Sequence, residues 1–141
     1  MLRIMTVEDN IPFRETFKNN LLSEFPSIEV IEAASGKEAF KGLASYPIDL
    51  VFMDIRLPGE SGLDLTGRIK ANYKGVTITM LTNYDMPEYR EAAARRGADG
   101  FIAKDLMKWN QISAMVKCFQ KAKDSLGSKP SCVRLASGGS Q

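Results

Sequence analysis

The chain has 141 residues with a formal net charge of +2, and 44% of its residues are hydrophobic, which predicts one globular domain rather than a disordered segment. It contains no histidine, which excludes histidine-based catalysis and metal binding by histidine, and its small net charge makes no case for nucleic-acid binding. No apolar run approaches the roughly 20 residues of a membrane span, and acidic residues interrupt the first apolar stretch too early for a signal peptide, so we predict a reduced, cytoplasmic compartment.

Strand and helix patterns alternate along the chain. Apolar runs of strand length lie at residues 2–7, 28–33, 48–54, 76–82 and 99–104. We predict a helix after each run. Pro87 and Gly97 bound the fourth helix at 87–96, and the buried faces predicted for the other four contain Phe13, Phe17, Leu21, Leu22, Phe40, Leu43, Ala44, Leu63, Leu65, Ile69, Trp109, Ile112, Met115, Val116 and Phe119. Five strands alternating with five helices predict a doubly wound α/β domain with helices on both faces, because the crossovers are right-handed.

Local signals predict where several elements begin and end. Asn10 is a good N-cap for a first helix at about 11–24, and Ser35 with Glu38 forms a capping-box pattern before the second. Turn chemistry predicts a loop at 57–62, and Asp105 is a candidate cap for the last helix. The pattern dissolves after that helix, so we predict a folded domain over residues 1–123 and a Ser/Gly-rich flexible tail or linker over 124–141.

Polar residues follow four of the predicted strands at the point where each strand ends. These residues are Glu8 and Asp9, Asp54, Thr82, and Lys104. In a parallel sheet the ends meet at one edge, where ligands and chemistry are usually found. Two carboxylates ~4 Å apart repel each other by about 4 kcal/mol at an effective dielectric constant of 20, so the group needs a counter-charge. Lys104 supplies one and Mg²⁺ could supply another; the alternative is an acidic surface patch neutralised by Lys104 and water.

These residue types predict phosphoryl-group chemistry at the edge of the sheet. Asp54 is the candidate nucleophile, because a carboxylate can become an aspartyl phosphate. Lys104 is expected to pair with the incoming phosphoryl group, and Thr82 to donate its hydroxyl to a phosphoryl oxygen. The expected Mg²⁺ ligands are oxygen atoms of Asp9 directly, of Glu8 mostly through water, of Asp54, and of the backbone carbonyl of Arg56.

Four stretches together resemble the receiver domain of two-component response regulators, over about residues 1–123. They are Val7-Glu8-Asp9-Asn10, the run 53–59 from Met53 to Gly59, Leu81-Thr82-Asn83, and Gly100-Phe101-Ile102-Ala103-Lys104-Asp105. The form of the last stretch, with residues 84–89, is similar to receivers of NarL/FixJ-type transcription regulators. The resemblance implies a flavodoxin-like sheet of strand order 2-1-3-4-5.

The resemblance also implies a function. Asp54 would accept a phosphoryl group from the phosphohistidine of a separate sensor histidine kinase, with Mg²⁺ required. Slow self-catalysed hydrolysis would end the signal, so the domain would be a timed switch and not an enzyme. Thr82 and Phe101 would move on phosphorylation and change the face formed by the fourth helix, the fifth strand and the fifth helix; Phe101 could instead be an ordinary core aromatic.

The resemblance leaves the output open. A homodimer on activation is a family-level expectation. No helix-turn-helix pattern follows residue 123, so we expect no DNA-binding domain in this chain, which would be either a single-domain regulator or a fragment without its output domain. Asn83 could influence the hydrolytic water or merely start a turn.

Two other functions compete with the signalling switch. An aspartate-nucleophile phosphohydrolase usually carries a second aspartate two residues after the first as its general acid, and Arg56 stands at that position. An interaction module that keeps the fold without being phosphorylated would not need the intact group of polar residues at the strand ends.

Overall fold

A five-stranded sheet lies at the centre of the computed structural model, which describes residues 1–104 and 109–124. Its strands are β1 (Arg3–Val7), β2 (Glu29–Ala33), β3 (Leu50–Met53), β4 (Thr77–Thr82) and β5 (Gly100–Ala103). All neighbouring strands pair in parallel, in the order β2-β1-β3-β4-β5. The predicted α/β fold and its strand order are therefore confirmed.

Among the described residues, five helices cover the two faces of this sheet. They are α1 (Ile11–Glu24), α2 (Gly36–Ser45), α3 (Gly62–Asn72), α4 (Pro87–Arg95) and α5 (Trp109–Asp124). One apolar cluster joins α1 and α5 to the sheet, and a second joins α2, α3 and α4 to the other face. Successive residues of β3 alternate between them: Phe52 packs with α1 and α5, whereas Met53 packs on the opposite side.

Side-chain caps fix the start of two helices as predicted. The Asn10 side chain accepts a hydrogen bond from the N–H of Phe13 at 3.0 Å, and the hydroxyl of Ser35 accepts one from the N–H of Glu38 at 3.3 Å. The Glu38 carboxylate reaches back to the N–H of Ala34 at 2.8 Å, one residue before the usual partner in a capping box. The predicted cap Asp105 lies outside the described residues.

Two local predictions were wrong. The stretch 57–62 is not a plain loop, because Arg56–Leu57 pairs antiparallel with Glu60–Ser61 in a small hairpin, with Gly59 at φ +80° in its turn. Ala44 is exposed, and the buried face of α2 uses Ala39 and Gly42 beside Leu43. A methyl group gives so little apolar area that alanine positions are weak evidence for the orientation of a helix.

Two further observations concern the described part of the chain. None of the helices in the described ranges 1–104 and 109–124 is long and apolar enough to cross a membrane. Helix α5 includes Asp124, the first residue of the predicted tail, and residues 125–141 lie outside the described part of the chain.

Candidate functional site

Backbone pairing continues past the strands and brings their polar successors together. The N–H of Glu8 donates to the carbonyl of Ala33 at 2.9 Å, and the N–H of Asp54 donates to the carbonyl of Val7 at 3.0 Å. The N–H of Lys104 donates to the carbonyl of Thr82 at 2.8 Å. Glu8, Asp54 and Lys104 therefore continue the backbone hydrogen bonding of the sheet, which fixes where their side chains begin.

Three carboxylates meet at this edge. Glu8, Asp9 and Asp54 each offer a carboxylate oxygen, and these oxygens lie within 4.8 Å of one another. Glu8 is 5% exposed and Asp54 is 7% exposed, whereas Asp9 is exposed to solvent. Mutual repulsion is costly at this distance because burial removes part of the screening by water. The predicted carboxylate group is thus present in the fold.

Lys104 is the cation of this cluster. Its ammonium group forms an ion pair with Glu8 and lies 3.4 Å from Oδ2 of Asp54, while the ring centroid of Phe13 lies 4.1 Å away. One ammonium among three carboxylates leaves a formal charge of −2, since no other cation of the described residues pairs with them. The sequence predicted Lys104 beside Asp54, and the structure places it still closer to Glu8.

The pKa of Glu8 is raised from its ordinary value. Burial is the largest cause, because it removes water from the charged form, and the nearby charge of Asp54 acts in the same direction. Lys104 and the N–H of Asn10, which donates to Oε2 of Glu8 at 3.0 Å, oppose the shift without cancelling it. The cluster therefore holds more negative charge than its own cation can stabilise, which favours an additional cation.

The backbone closes tightly around Asp54. Its Oδ1 accepts a hydrogen bond from the N–H of Ile55 at 2.8 Å, which leaves Oδ2 toward Lys104. The hairpin then returns, and the N–H of Gly62 donates to the carbonyl of Ile55 at 2.5 Å. A Cβ atom at position 62 would lie 1.8 Å from the carbonyl oxygen of Asp54, so only glycine fits there.

An open cleft of about 470 Å³ lies over the carboxylates. The cluster lies at its floor, and Arg56, Asn83 and Tyr84 are among the other residues that line it. The Arg56 guanidinium stacks over the Tyr84 ring at 5.1 Å from its centroid and so joins the hairpin to the loop after β4. The backbone carbonyl of Arg56 as a metal ligand stays a prediction.

The two predicted switch residues, Thr82 and Phe101, are both buried. Thr82 is fully buried, and its hydroxyl accepts a hydrogen bond from the N–H of Tyr84 at 3.3 Å. Phe101 is 7% exposed, and the guanidinium of Arg90 lies 4.6 Å from its ring centroid. Arg90 also pairs with Asp85 at 2.6 Å, so the loop before α4 binds the guanidinium that covers the ring. The structure therefore holds Phe101 in an inward position.

Three contributors to the site were not predicted from the sequence. Asn10 was identified only as a helix cap, although its N–H also binds Glu8. Arg14 donates from Nη1 to the carbonyl of Glu8 at 2.7 Å, and no sequence pattern predicts that contact. Gly62 had a usable signal, because a glycine opening a helix directly after a turn commonly marks a close backbone approach.

Comparison with known proteins identifies the family to which this chain belongs. The model of the response regulator receiver domain matches residues 4–117. The chain is 34% identical over 116 residues to the oxygen regulatory protein NreC of Staphylococcus carnosus, covering 81% of this chain and 53% of that protein. It is 33% identical over 113 residues to the chemotaxis protein CheY of Halobacterium salinarum, covering 80% of this chain and 92% of that protein. The chain thus spans about half the length of its NreC relative and nearly all of CheY.

Solved structures of response regulators are also similar to this chain. The response regulator TrrA of Thermotoga maritima, in complex with Mg²⁺ and BeF, is 35% identical with a TM-score of 0.72, covering 83% of this chain and 97% of that one. A LuxR-family response regulator of Aurantimonas is 28% identical with a TM-score of 0.74, covering 84% and 85% of the two chains. Both similarities cover more than four fifths of this chain.

Proposed function

Because this chain belongs to the response regulator receiver domain family, we propose that it is a signalling switch whose state is set by phosphorylation of Asp54. The observation that carries the proposal is the group of the buried Glu8 and Asp54 and the exposed Asp9 around the ammonium of Lys104. A surplus of carboxylates is unfavourable for stability alone, and its presence at the carboxyl edge of a parallel sheet is typical of a functional site.

The proposed reaction moves a phosphoryl group from nitrogen to oxygen. A carboxylate oxygen of Asp54 attacks the phosphorus atom of a phosphohistidine on a sensor histidine kinase. The new P–O bond forms as the P–N bond breaks, and the imidazole departs with the bonding electron pair. Oδ2 is the favoured nucleophile, since Oδ1 already accepts a hydrogen bond from Ile55. Lys104 then stabilises charge on the transferred group.

The donor set fits Mg²⁺. Three carboxylates with a surplus negative charge match a hard divalent cation that prefers oxygen ligands. Asp9 and Asp54 would hold the ion, with Glu8 acting mostly through water and the carbonyl of Arg56 completing the protein ligands. When bound, Mg²⁺ neutralises negative charge that develops on the phosphoryl oxygens. The Mg²⁺ and BeF complex of the similar TrrA protein supports this choice of ion.

Phosphorylation is proposed to act on Thr82 and Phe101. The Thr82 hydroxyl would leave the N–H of Tyr84 and donate to a phosphoryl oxygen, and Phe101 would repack into the vacated space. The face of α4, β5 and α5 would change as a result, and control a partner or output domain, with a homodimer as one form of the active state. Slow self-catalysed hydrolysis of the aspartyl phosphate would restore the resting state.

The wider setting is also a proposal. NreC is named as an oxygen regulatory protein and CheY as a chemotaxis protein, so similar receivers are used in both kinds of system. We propose transcription regulation as the output, because the fifth-strand motif follows the NarL/FixJ type and the NreC relative is among the more similar proteins. A cytoplasmic location would match a partner kinase that transfers its phosphoryl group inside the cell.

A phosphorylation experiment tests the central proposal. Wild-type protein incubated with a small-molecule phosphodonor and Mg²⁺ should gain the mass of one phosphoryl group, measured on the intact protein. D54N should gain none, whereas D49N should gain as much as wild type, because Asp49 lies at the opposite end of β3. Chelation of Mg²⁺ should abolish the gain in both active proteins.

Other outcomes would favour the competing functions. Phosphorylation of D54N, or no phosphorylation of wild type, would contradict the role of Asp54. A partner that binds equally well before and after phosphorylation would support an interaction module. Turnover of a generic phosphate ester above background would support a phosphohydrolase, although Arg56 stands where such an enzyme needs its second aspartate.

A further inference from the structure

Arg14 binds the main chain of the carboxylate cluster from outside the cleft. It lies on the first turns of α1, and its side chain is 16% exposed. Its Nη1 donates to the carbonyl oxygen of Glu8 at 2.7 Å, and its Nε donates to Oε1 of Glu32 on β2 at 3.0 Å. The guanidinium group therefore joins α1, the end of β1 and β2 through two hydrogen bonds of fixed relative direction.

The carbonyl that Arg14 binds belongs to the peptide unit between Glu8 and Asp9. The N–H of Glu8 is already fixed by Ala33, and its carboxylate by Lys104 and Asn10. Within the described ranges the carboxylate of Asp9 accepts no hydrogen bond, so the backbone is what sets the starting point of its side chain. The orientation of that peptide unit thus fixes the direction of the Cα–Cβ bond from which the Asp9 carboxylate extends.

Glu32 anchors Arg14 and also binds a second cation. Lys18, one turn further along α1, donates to Oε2 of Glu32 at 3.0 Å, so Glu32 lies between Lys18 and Arg14. Burial raises the pKa of Glu32, but its hydrogen bonds to Lys18 and Arg14 outweigh that effect and lower the pKa overall. Glu32 is therefore ionised at neutral pH and holds the guanidinium of Arg14 in place.

We propose that Arg14 is a positioning residue for the Mg²⁺ site, which fixes the Glu8–Asp9 peptide so that the Asp9 carboxylate is preorganised toward the ion. This inference rests on the function proposed above. An arginine is required because its planar fork reaches two acceptors at once, whereas the single ammonium of lysine cannot reproduce both bonds in the same directions. The role is geometric, so a substitution that keeps the charge should still impair the site.

The test is Mg²⁺ affinity, measured by isothermal titration calorimetry on the full chain at constant ionic strength. R14K keeps the positive charge and should raise the dissociation constant for Mg²⁺ about 10-fold, as expected when a residue that supports a metal ligand is lost. K18M removes the other cation bound to Glu32 without touching Glu8, and should change the constant less than about twofold. At saturating Mg²⁺, phosphorylation of R14K should approach the wild-type rate, because only preorganisation is lost.

Each outcome separates this inference from the proposed function. Wild type that binds Mg²⁺ with R14K binding equally well would overturn the positioning role and leave the proposed function intact. Equal weakening by K18M would also overturn it, since a general loss of charge would then explain the effect. Wild type that binds no Mg²⁺ would overturn both.

A further variant covers the case in which R14K fails to fold, as judged by urea unfolding. E32Q leaves Arg14 and its bond to Glu8 possible but weakens the anchor, and should raise the Mg²⁺ dissociation constant by an amount between those of K18M and R14K. Wild-type affinity in E32Q would contradict the proposed anchoring.

Discussion

Asp49 and Asp54 flank the same strand, yet their surroundings differ in kind. Asp49 precedes β3 and accepts a hydrogen bond from the N–H of Arg3 at 2.9 Å, while Lys123 contacts both of its oxygens at 2.9 and 3.0 Å. Asp54 follows β3 and shares one ammonium with two other carboxylates. The first carboxylate is neutralised by its own partner, and the second is part of a group with surplus charge.

This difference shows what makes an acidic strand end a candidate functional site. Near Asp49 the carboxylates are paired one to one, since Arg3 also pairs with Glu29 at 2.5 Å. Such pairs on a partly exposed surface contribute little to stability and leave no charge that needs another partner. At Asp54 the imbalance of charge is held in place by the sheet ladder and can be relieved by a cation or by chemistry. An aspartate at the end of a strand is therefore uninformative until its counter-charges have been counted.

Removal of the two lysines should give the largest contrast between the edges. K104M leaves Glu8 and Asp54 buried without a cation, and should lower the free energy of unfolding by about 3 kcal/mol. K123M breaks a partly exposed pair and should cost about 0.5 kcal/mol. Urea unfolding in the presence of a chelator measures both, and similar losses in the two variants would contradict the proposed imbalance.

Two glycines give the next largest contrast. G62A places a methyl group against the carbonyl of Asp54 and should destabilise the fold by about 2 kcal/mol, as overpacking does, because the neighbouring backbone must shift. G75A, in the turn before β4, meets no atom within 4 Å and should change stability by less than about 1 kcal/mol. G62A should also slow phosphorylation of Asp54, whereas G75A at the far edge should not. Equal phosphorylation rates would show that the backbone of Asp54 tolerates movement.

The smallest expected effects are two changes of folding stability with pH, which have opposite signs. Because folding raises the pKa of Glu8, the protonated carboxyl stabilises the fold. This contribution is lost as pH rises from about 4.5 through the folded-state pKa. Metal-free E8Q has no carboxyl at this position and should therefore become increasingly more stable than wild type over that rise. The pKa of Glu24 is lowered, chiefly by hydrogen bonds from Ser113 and Trp109. Its contribution is present above about 4.5 and is lost as pH falls, so E24Q should be less stable than wild type near neutrality.

Unfolding midpoints between pH 4 and 8, with a chelator present, would check these two signs. The Glu24 effect should be small because its carboxylate is screened by solvent. Matching slopes for E8Q and E24Q would contradict the assigned causes, since one carboxyl is destabilised by burial and the other is stabilised by hydrogen bonds.

Much of the fold could be predicted from the sequence because local signals agree with the tertiary structure. The predicted limits of α1 match the observed ones, since Asn10 caps a helix whose apolar positions repeat at the correct spacing. The group of polar residues at the strand ends could also be predicted, because parallel topology alone places Glu8, Asp54 and Lys104 at one edge. Their detailed pairing could not be predicted, since it depends on side-chain reach across three strands.

The missed features depend on contacts that leave no periodic trace. Two-residue strands such as Arg56–Leu57 are too short for alternation to show, so turn residues dominated the prediction there. The contact of Arg14 with the carbonyl of Glu8 joins a side chain to a backbone atom six residues earlier in sequence, and no spacing rule predicts it. The roles of Thr82, Phe101 and the carbonyl of Arg56 remain predictions, because they concern states with a bound ion or phosphoryl group.

The pairing of Lys123 with Asp49 fixes the last turn of α5 to the edge of the sheet that is farthest from the cleft. Its partner Asp49 lies roughly 17 Å from Asp54, since five residue steps of about 3.3 Å separate the two along β3. At an effective dielectric constant of 20, one unit of charge acts over that distance with only about 1 kcal/mol. In the proposed switch, a signal from the cleft would therefore reach the last turn of α5 as a displacement of packed helices.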